Sequence, residues 1–192
     1  MAVRAFALLC CAALYGQTPA GQSGASSSAP AGLETAWEIA PVLEEISAHA
    51  ARLLPELDRV NASEWVNRGA SDTYLEQLQA AKDQTKALAD QAKVLSRSPE
   101  KLSAGLVVLF RIQGLEAIIG SLLEGMRKYQ GAAAAQELAA LAAENGANRD
   151  RFQRYLVNLA ADEEQRVAVM DKEAQRCRSM VAAPAPRTGK KN

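Results

Sequence analysis

Histidine is nearly missing from this sequence. One occurs in 192 residues, His49. Any His-Ser-Asp or His-Cys catalytic apparatus would have to use it. It sits beside Ala50 on an apolar stripe already committed to packing, with Glu45 one turn earlier. An ion pair at the edge of that stripe is the expected arrangement, not an acid–base pair. Di-iron bundles repeat Glu-x-x-His on two helices, whereas the spacing here is Glu-x-x-x-His and occurs once. A b-type haem would have to pair His49 with Met126, Met170 or Met180, and methionines on apolar faces mostly fill cores. There is no Cys-x-x-Cys-His, and zinc sites need several Cys or His ligands. No phosphate loop, dinucleotide fingerprint or calcium loop is present. No catalytic, metal or cofactor residue is therefore assigned. Acidic residues are plentiful but spread over helix surfaces, so a hydrolase built on two of them has no identifiable pair.

Charge of one sign is also lacking in excess, with 22 basic and 22 acidic residues. A balanced chain is not a general polyanion binder. Aromatics make up only 5% although hydrophobic residues reach 48%. Alanine and leucine supply most of the apolar mass, which favours helix over strand because alanine loses no side-chain entropy on forming a helix. No segment alternates apolar and polar residues for long, so strands are not expected.

What is present begins with an address. Arg4 precedes the uncharged apolar run Phe6–Tyr15, and small or polar residues follow. This is the layout of a secretory signal peptide over residues 1–20, cut after Gly16 or Ala20. The run is too short for a membrane span. Cys10 and Cys11 lack the small preceding residue that lipidation needs, so no lipid anchor is expected. Export to the periplasm or the extracellular space follows. Residues 21–32, rich in Ser, Gly and Ala, read as a flexible leader. Residues 182–192, with Pro184 and Pro186, read as a disordered basic tail. Between them, residues 33–181 carry the fold.

Apolar seams at alternating spacings of three and four recur there. The first holds Ile39, Leu43, Ile46, Ala50, Leu53, Leu57 and Val60, one stripe of a helix. Pro41 is expected in its first turn, and Pro55 is expected to kink or interrupt it. Residues 61–70 are expected to connect, with Trp65 plugging the end of the core, Gly69 in a left-handed conformation, and Ser71 or Asp72 capping the next helix. The second seam is Tyr74, Leu78, Ala81, Thr85, Leu88, Ala92 and Leu95, small enough for close approach of a partner. Ser98-Pro99-Glu100 then looks like the cap and first turn of a third helix reaching about Gln130. Its middle is apolar nearly all round, which predicts the most buried helix, with close backbone packing at Gly105, Gly114 and Gly120. Arg111, Gln113 and Glu116 interrupt it and argue against a membrane span.

The last region, Ala132 to Val181, would be ~70 Å long if unbroken, against ~40 Å for the second helix. It therefore breaks, with Asn145-Gly146 as the place and Asn148 as cap of the restart, or else it overhangs. An overhang would expose Val167, Met170 and Cys177 unless another chain covered them. The expected architecture is all-α, an up-and-down bundle of about four long helices.

Two features bear on function. Cys177 continues the Val167–Met170–Ala174 stripe and is expected to be buried there as a small hydrophobe. The competing reading is an intermolecular disulfide, because an odd cysteine in an exported chain has no internal partner. Arg176, Arg178, Arg187, Lys190 and Lys191 follow the last acid, Glu173. They offer contact with an anionic surface, against a plain solubilising tail. Without aromatics they form no stacking platform, so specific nucleic-acid binding is not expected. The reading is an exported, non-catalytic bundle acting on an unknown protein partner or on itself. The alternative is a ligand or cofactor carrier with a pocket between helices.

Overall fold

The structure, a computed structural model, describes residues 34–182. The expected signal peptide, the leader and most of the basic tail, Arg187, Lys190 and Lys191 included, lie outside the described residues. The described residues form six helices and no strand: α1 Ala36–Asp58, α2 Ala62–Asn67, α3 Thr73–Leu95, α4 Leu102–Tyr129, α5 Ala132–Ala143 and α6 Gly146–Ala182. The long helices run up and down. α1 packs on α3, α3 on α4, and both α1 and α4 pack on α5 and α6. Cross-links fix the antiparallel order: Ser47 Oγ donates to the Ala89 carbonyl at 2.7 Å, Ser121 Oγ to Gln77 at 2.9 Å, and Arg149 meets Glu116 at 2.7 Å. Along α1, the fourth position is filled first by α6 and then by α5, as Arg151 touches Glu34 and the Glu38 carbonyl while His49 touches Leu141.

The first seam is buried throughout, from Ile39 to Val60. α1 begins earlier than expected, because Glu38 accepts hydrogen bonds from both the backbone N–H and the hydroxyl of Thr35, at 2.8 and 2.7 Å. Those bonds satisfy a donor that the helix start leaves free. Pro41 therefore lies inside the helix and not in its first turn. Pro55 does not interrupt α1 either, since the helix continues to Asp58. The carbonyl it leaves without a donor belongs to Ala51, which is exposed, so water can serve it.

The connection after α1 is itself partly helical. Asn61 caps α2 by accepting from the Glu64 N–H at 3.2 Å, and Gly69 closes it with φ +90°. Asp72 is the residue before α3, while Ser71 Oγ accepts from the Thr73 N–H at 3.3 Å. Pro99 is buried in a turn and not in a helix; α4 starts three residues later, after Lys101.

α4 is not wrapped on all sides. Val108, Ile112, Leu115, Ile119 and Leu122 face the core, but Leu106, Val107 and Phe110 are exposed. A helix at the corner of a four-cornered bundle has one inward side, so apolar residues all round cannot all be covered. It is the one described helix long and apolar enough to cross a membrane, with a mean hydropathy of 1.8 over 18 residues. Of its glycines, Gly105 does admit a close neighbour: a Cβ there would overlap Leu156. Gly114 only touches Gln84, and Gly120 faces open space. The tightest approach missed by the seam argument is Gly125, where a Cβ would lie 2.7 Å from Trp65.

The final region both breaks and overhangs. Glu144 and Asn145 separate α5 from α6. His49 is buried at this break, and its Nε2–H donates to the Leu141 carbonyl at 2.7 Å. The expected pair with Glu45 does not form, because Glu45 points outward and a helix end offers a carbonyl that needs a donor. Beyond the break α6 has 37 residues, ~55 Å at ~1.5 Å each.

Candidate interaction surface

α6 is anchored at its start and free at its end. Phe152, Tyr155, Leu156 and Leu159 are buried. Arg151 reaches Glu34 at 3.1 Å and the Glu38 carbonyl at 3.4 Å, tying α6 to the start of α1. Arg149 is held firmly charged, first by Asp150 and then by Glu116. Burial pushes the Tyr155 phenol up, and the carboxylates of Glu100 and Glu34 add to this. Past Leu159 the helix has run beyond the start of α1, the end of α3 and the start of α4. From Ala161 to Val181 every residue is exposed except Glu163, which is half-buried.

This projecting arm carries an apolar stripe. Val167 is 64% exposed, Met170 63% and Val181 88%. Cys177 is exposed as well, so the expectation that it is buried is overturned. The stripe is real, but no other described helix reaches it. Among the described residues, the polar contacts of the arm stay within the helix, including Arg166 with Glu163 at 3.0 Å, Arg178 with Asp171 at 3.9 Å, and Gln175 donating to Asp171 at 2.7 Å.

Of the five basic residues singled out above, Arg176 and Arg178 lie on the arm. Two residues apart on a helix, they point ~200° from each other and do not form one patch. The arm also carries Asp162, Glu163, Glu164, Asp171 and Glu173. His49, Met126, Met170 and Met180 are not brought together, since His49 sits at the α5–α6 break, Met126 near the end of α4, and the other two on the arm. Among the described residues no three His, Cys, Asp or Glu side chains converge on one point.

The end of the bundle from which the arm leaves is apolar too. Trp37, Val94, Leu106, Val107, Phe110 and Val157 are exposed there, Trp37 by 74% and Phe110 by 64%. A groove of about 350 Å³ opens between α3 and α4, lined by Val94, Leu95, Ala104, Val107 and Val108, with Asp90 and Lys101 at its rim. Trp37 could have been found in the sequence, because it falls off the first seam. Val107 and Phe110 could not, because they belong to a helix apolar on every side.

No family model matches this chain, and no curated protein or solved structure matches it.

Proposed function

We propose that this chain is an exported, non-catalytic helical bundle that works by associating with a protein, either another chain or a copy of itself, through its projecting arm. One observation carries the reading: about six turns of α6 stand outside the bundle with an apolar stripe on one side. A soluble protein gains nothing from ordering and exposing such a stripe unless something covers it. Export is the reading of the leader sequence, and it supplies an oxidising setting for a free thiol.

 Ending the chain after Ala160 tests this. Leu159 is the last buried side chain of α6, and truncation beyond it leaves that packing untouched. The expected result is an unchanged cooperative melt together with loss of every crosslink the full chain makes in its native envelope. Crosslinks that survive the truncation overturn the reading.

A second reading is favoured by the groove between α3 and α4: a carrier of a small apolar ligand. Its lining is almost entirely apolar, and Asp90 and Lys101 at the rim could orient a polar end. A fluorescent long-chain alkyl probe should then bind the full chain and lose its site in Val107→Asp. Equal binding by both proteins, or by neither, removes this reading.

A further inference from the structure

We propose that the arm is one strand of a parallel, in-register, two-stranded coiled coil formed with a second copy of this chain, in which Cys177 faces Cys177 of that copy. The inference rests on the association reading above and names the partner.

The seam has the required spacing. Val167, Met170, Ala174, Cys177 and Val181 are separated by three, four, three and four residues. In heptad terms Val167, Ala174 and Val181 take the a positions, and Met170 and Cys177 take d. Valine at a favours two strands. All five are exposed, so nothing in the described chain competes for them.

The flanks choose the partner. In a parallel pair, each g residue meets the e residue five positions further along the other strand. Here g is Arg166 and Glu173, and e is Asp171 and Arg178. Arg166 therefore meets Asp171, and Glu173 meets Arg178, opposite charges in both cases and twice over by symmetry. The arm is complementary to itself. Antiparallel alignments of the same arm use at most four of the five seam residues and never place Val167 opposite Val167. Upstream, Glu163 would fall at a d position. Two facing carboxylates are unfavourable there, so the coil starts at Arg166, where the helices have left their bundles.

A seam of two heptads is short. The usual cost of starting a helix is already met, however, because the arm continues a helix packed in the bundle. The thiol supplies the rest. With helix axes ~10 Å apart and Cα atoms ~2.3 Å from each axis, inward-facing Cα atoms lie roughly 5–6 Å apart, within disulfide range. Closure needs an oxidant, and a small-molecule disulfide serves. One Cys177 thiolate displaces a thiolate from it to give a mixed disulfide. The second Cys177 thiolate then displaces the remaining half. The two protein thiols lose two electrons and two protons, and the oxidant leaves as two thiols.

The test uses the full chain carrying Cys10→Ser and Cys11→Ser, so that Cys177 is the one thiol left. With glutathione disulfide, a non-reducing gel should show a covalent dimer, twice the 20.5 kDa chain mass. Under reduction, sedimentation should show a concentration-dependent dimer. Glu173→Arg should weaken that reduced dimer about tenfold, and adding Arg178→Glu should restore it. In a Cys177→Ser background, Val167→Cys should crosslink to itself. Antiparallel strands would hold the two positions on the order of 15 Å apart or more, too far for a disulfide. A monomer in both redox states overturns the proposal, as does a dimer in which Val167→Cys fails to self-link or the charge reversal fails to rescue. If crosslinks to a different protein still depend on the arm, the association reading stands and only the self-pairing falls.

Discussion

At the end where α1 finishes and α3 begins, Trp65 is buried edge-on to Tyr74, with ring centroids 5.5 Å apart, and stacked on Tyr129 at 6.2 Å. Gly125 makes room for the indole, Arg68 donates to the Tyr129 carbonyl, and Gln130 donates to the Arg59 carbonyl at 3.0 Å. At the opposite end Trp37 stands in solvent among Val94, Val107 and Phe110, and α6 runs out past them. Among the described residues, Leu75 is the one large exposed hydrophobe at the plugged end. The two ends hold similar kinds of side chain. They differ because one has a connecting segment long enough to fold over the core, with α2 carrying its tryptophan inward. Among the described residues, the other has only the tight turn around Pro99.

Substituting each tryptophan breaks this contrast most directly. Trp65→Ala should cost about 3–5 kcal/mol in urea unfolding, the range for emptying an aromatic site in a core. Trp37→Ala should change stability by no more than about 0.5 kcal/mol, as for surface sites in general. Equal effects would mean that the two ends are packed alike. Two glycines of α4 give a smaller effect with opposite signs. Gly125→Ala should destabilise by about 1–3 kcal/mol, because its Cβ meets the Trp65 ring. Gly120→Ala should stabilise by up to about 1 kcal/mol, since it faces open space on the same helix. Thermal melts of the two variants decide the matter.

The smallest effect concerns the start of α1. The hydroxyl and then the backbone N–H of Thr35 hold the Glu38 carboxyl below its ordinary value of 4.5. A lowered folded pKa means the unfolded chain binds the proton first, so this bond's stabilisation is present above pH 4.5 and fades as pH falls through the folded value. Glu38→Gln should therefore flatten a little of the acid limb of a stability–pH curve. Asp58, lowered by its bond to Lys82, supplies a similar contribution that the variant leaves in place. An unchanged acid limb would remove Glu38 as a contributor.

Much of this was legible in advance where one signal sufficed. The seam from Ile39 to Val60 named the buried face of α1 residue by residue, and Gly69 and Trp65 took the roles their chemistry suggests. Other features needed two segments at once. The start of α1 depended on Thr35 and Glu38 acting together, which outweighed the pull of Pro41 towards a first turn. The exposure of Phe110 depended on which neighbours α4 acquires. Cys177 sits on a stripe with the right period, yet period says which residues share a face and not whether anything covers it. The arm was legible in length, as an excess over the other helices, but its break and its overhang looked like alternatives when both occur.

The sequence by itself determined the long helices and the inward faces of α1 and α3, because spacings of three and four and the scarcity of aromatics and β-alternation are local properties of the chain. Only the tertiary structure decided which apolar faces stay uncovered. Two partners, α1 and α4, bury the first part of α6 and then stop, so the same stripe is core up to Leu159 and surface from Val167 onward. Burial depends on the reach of neighbouring helices, and that reach is written nowhere in the stripe itself.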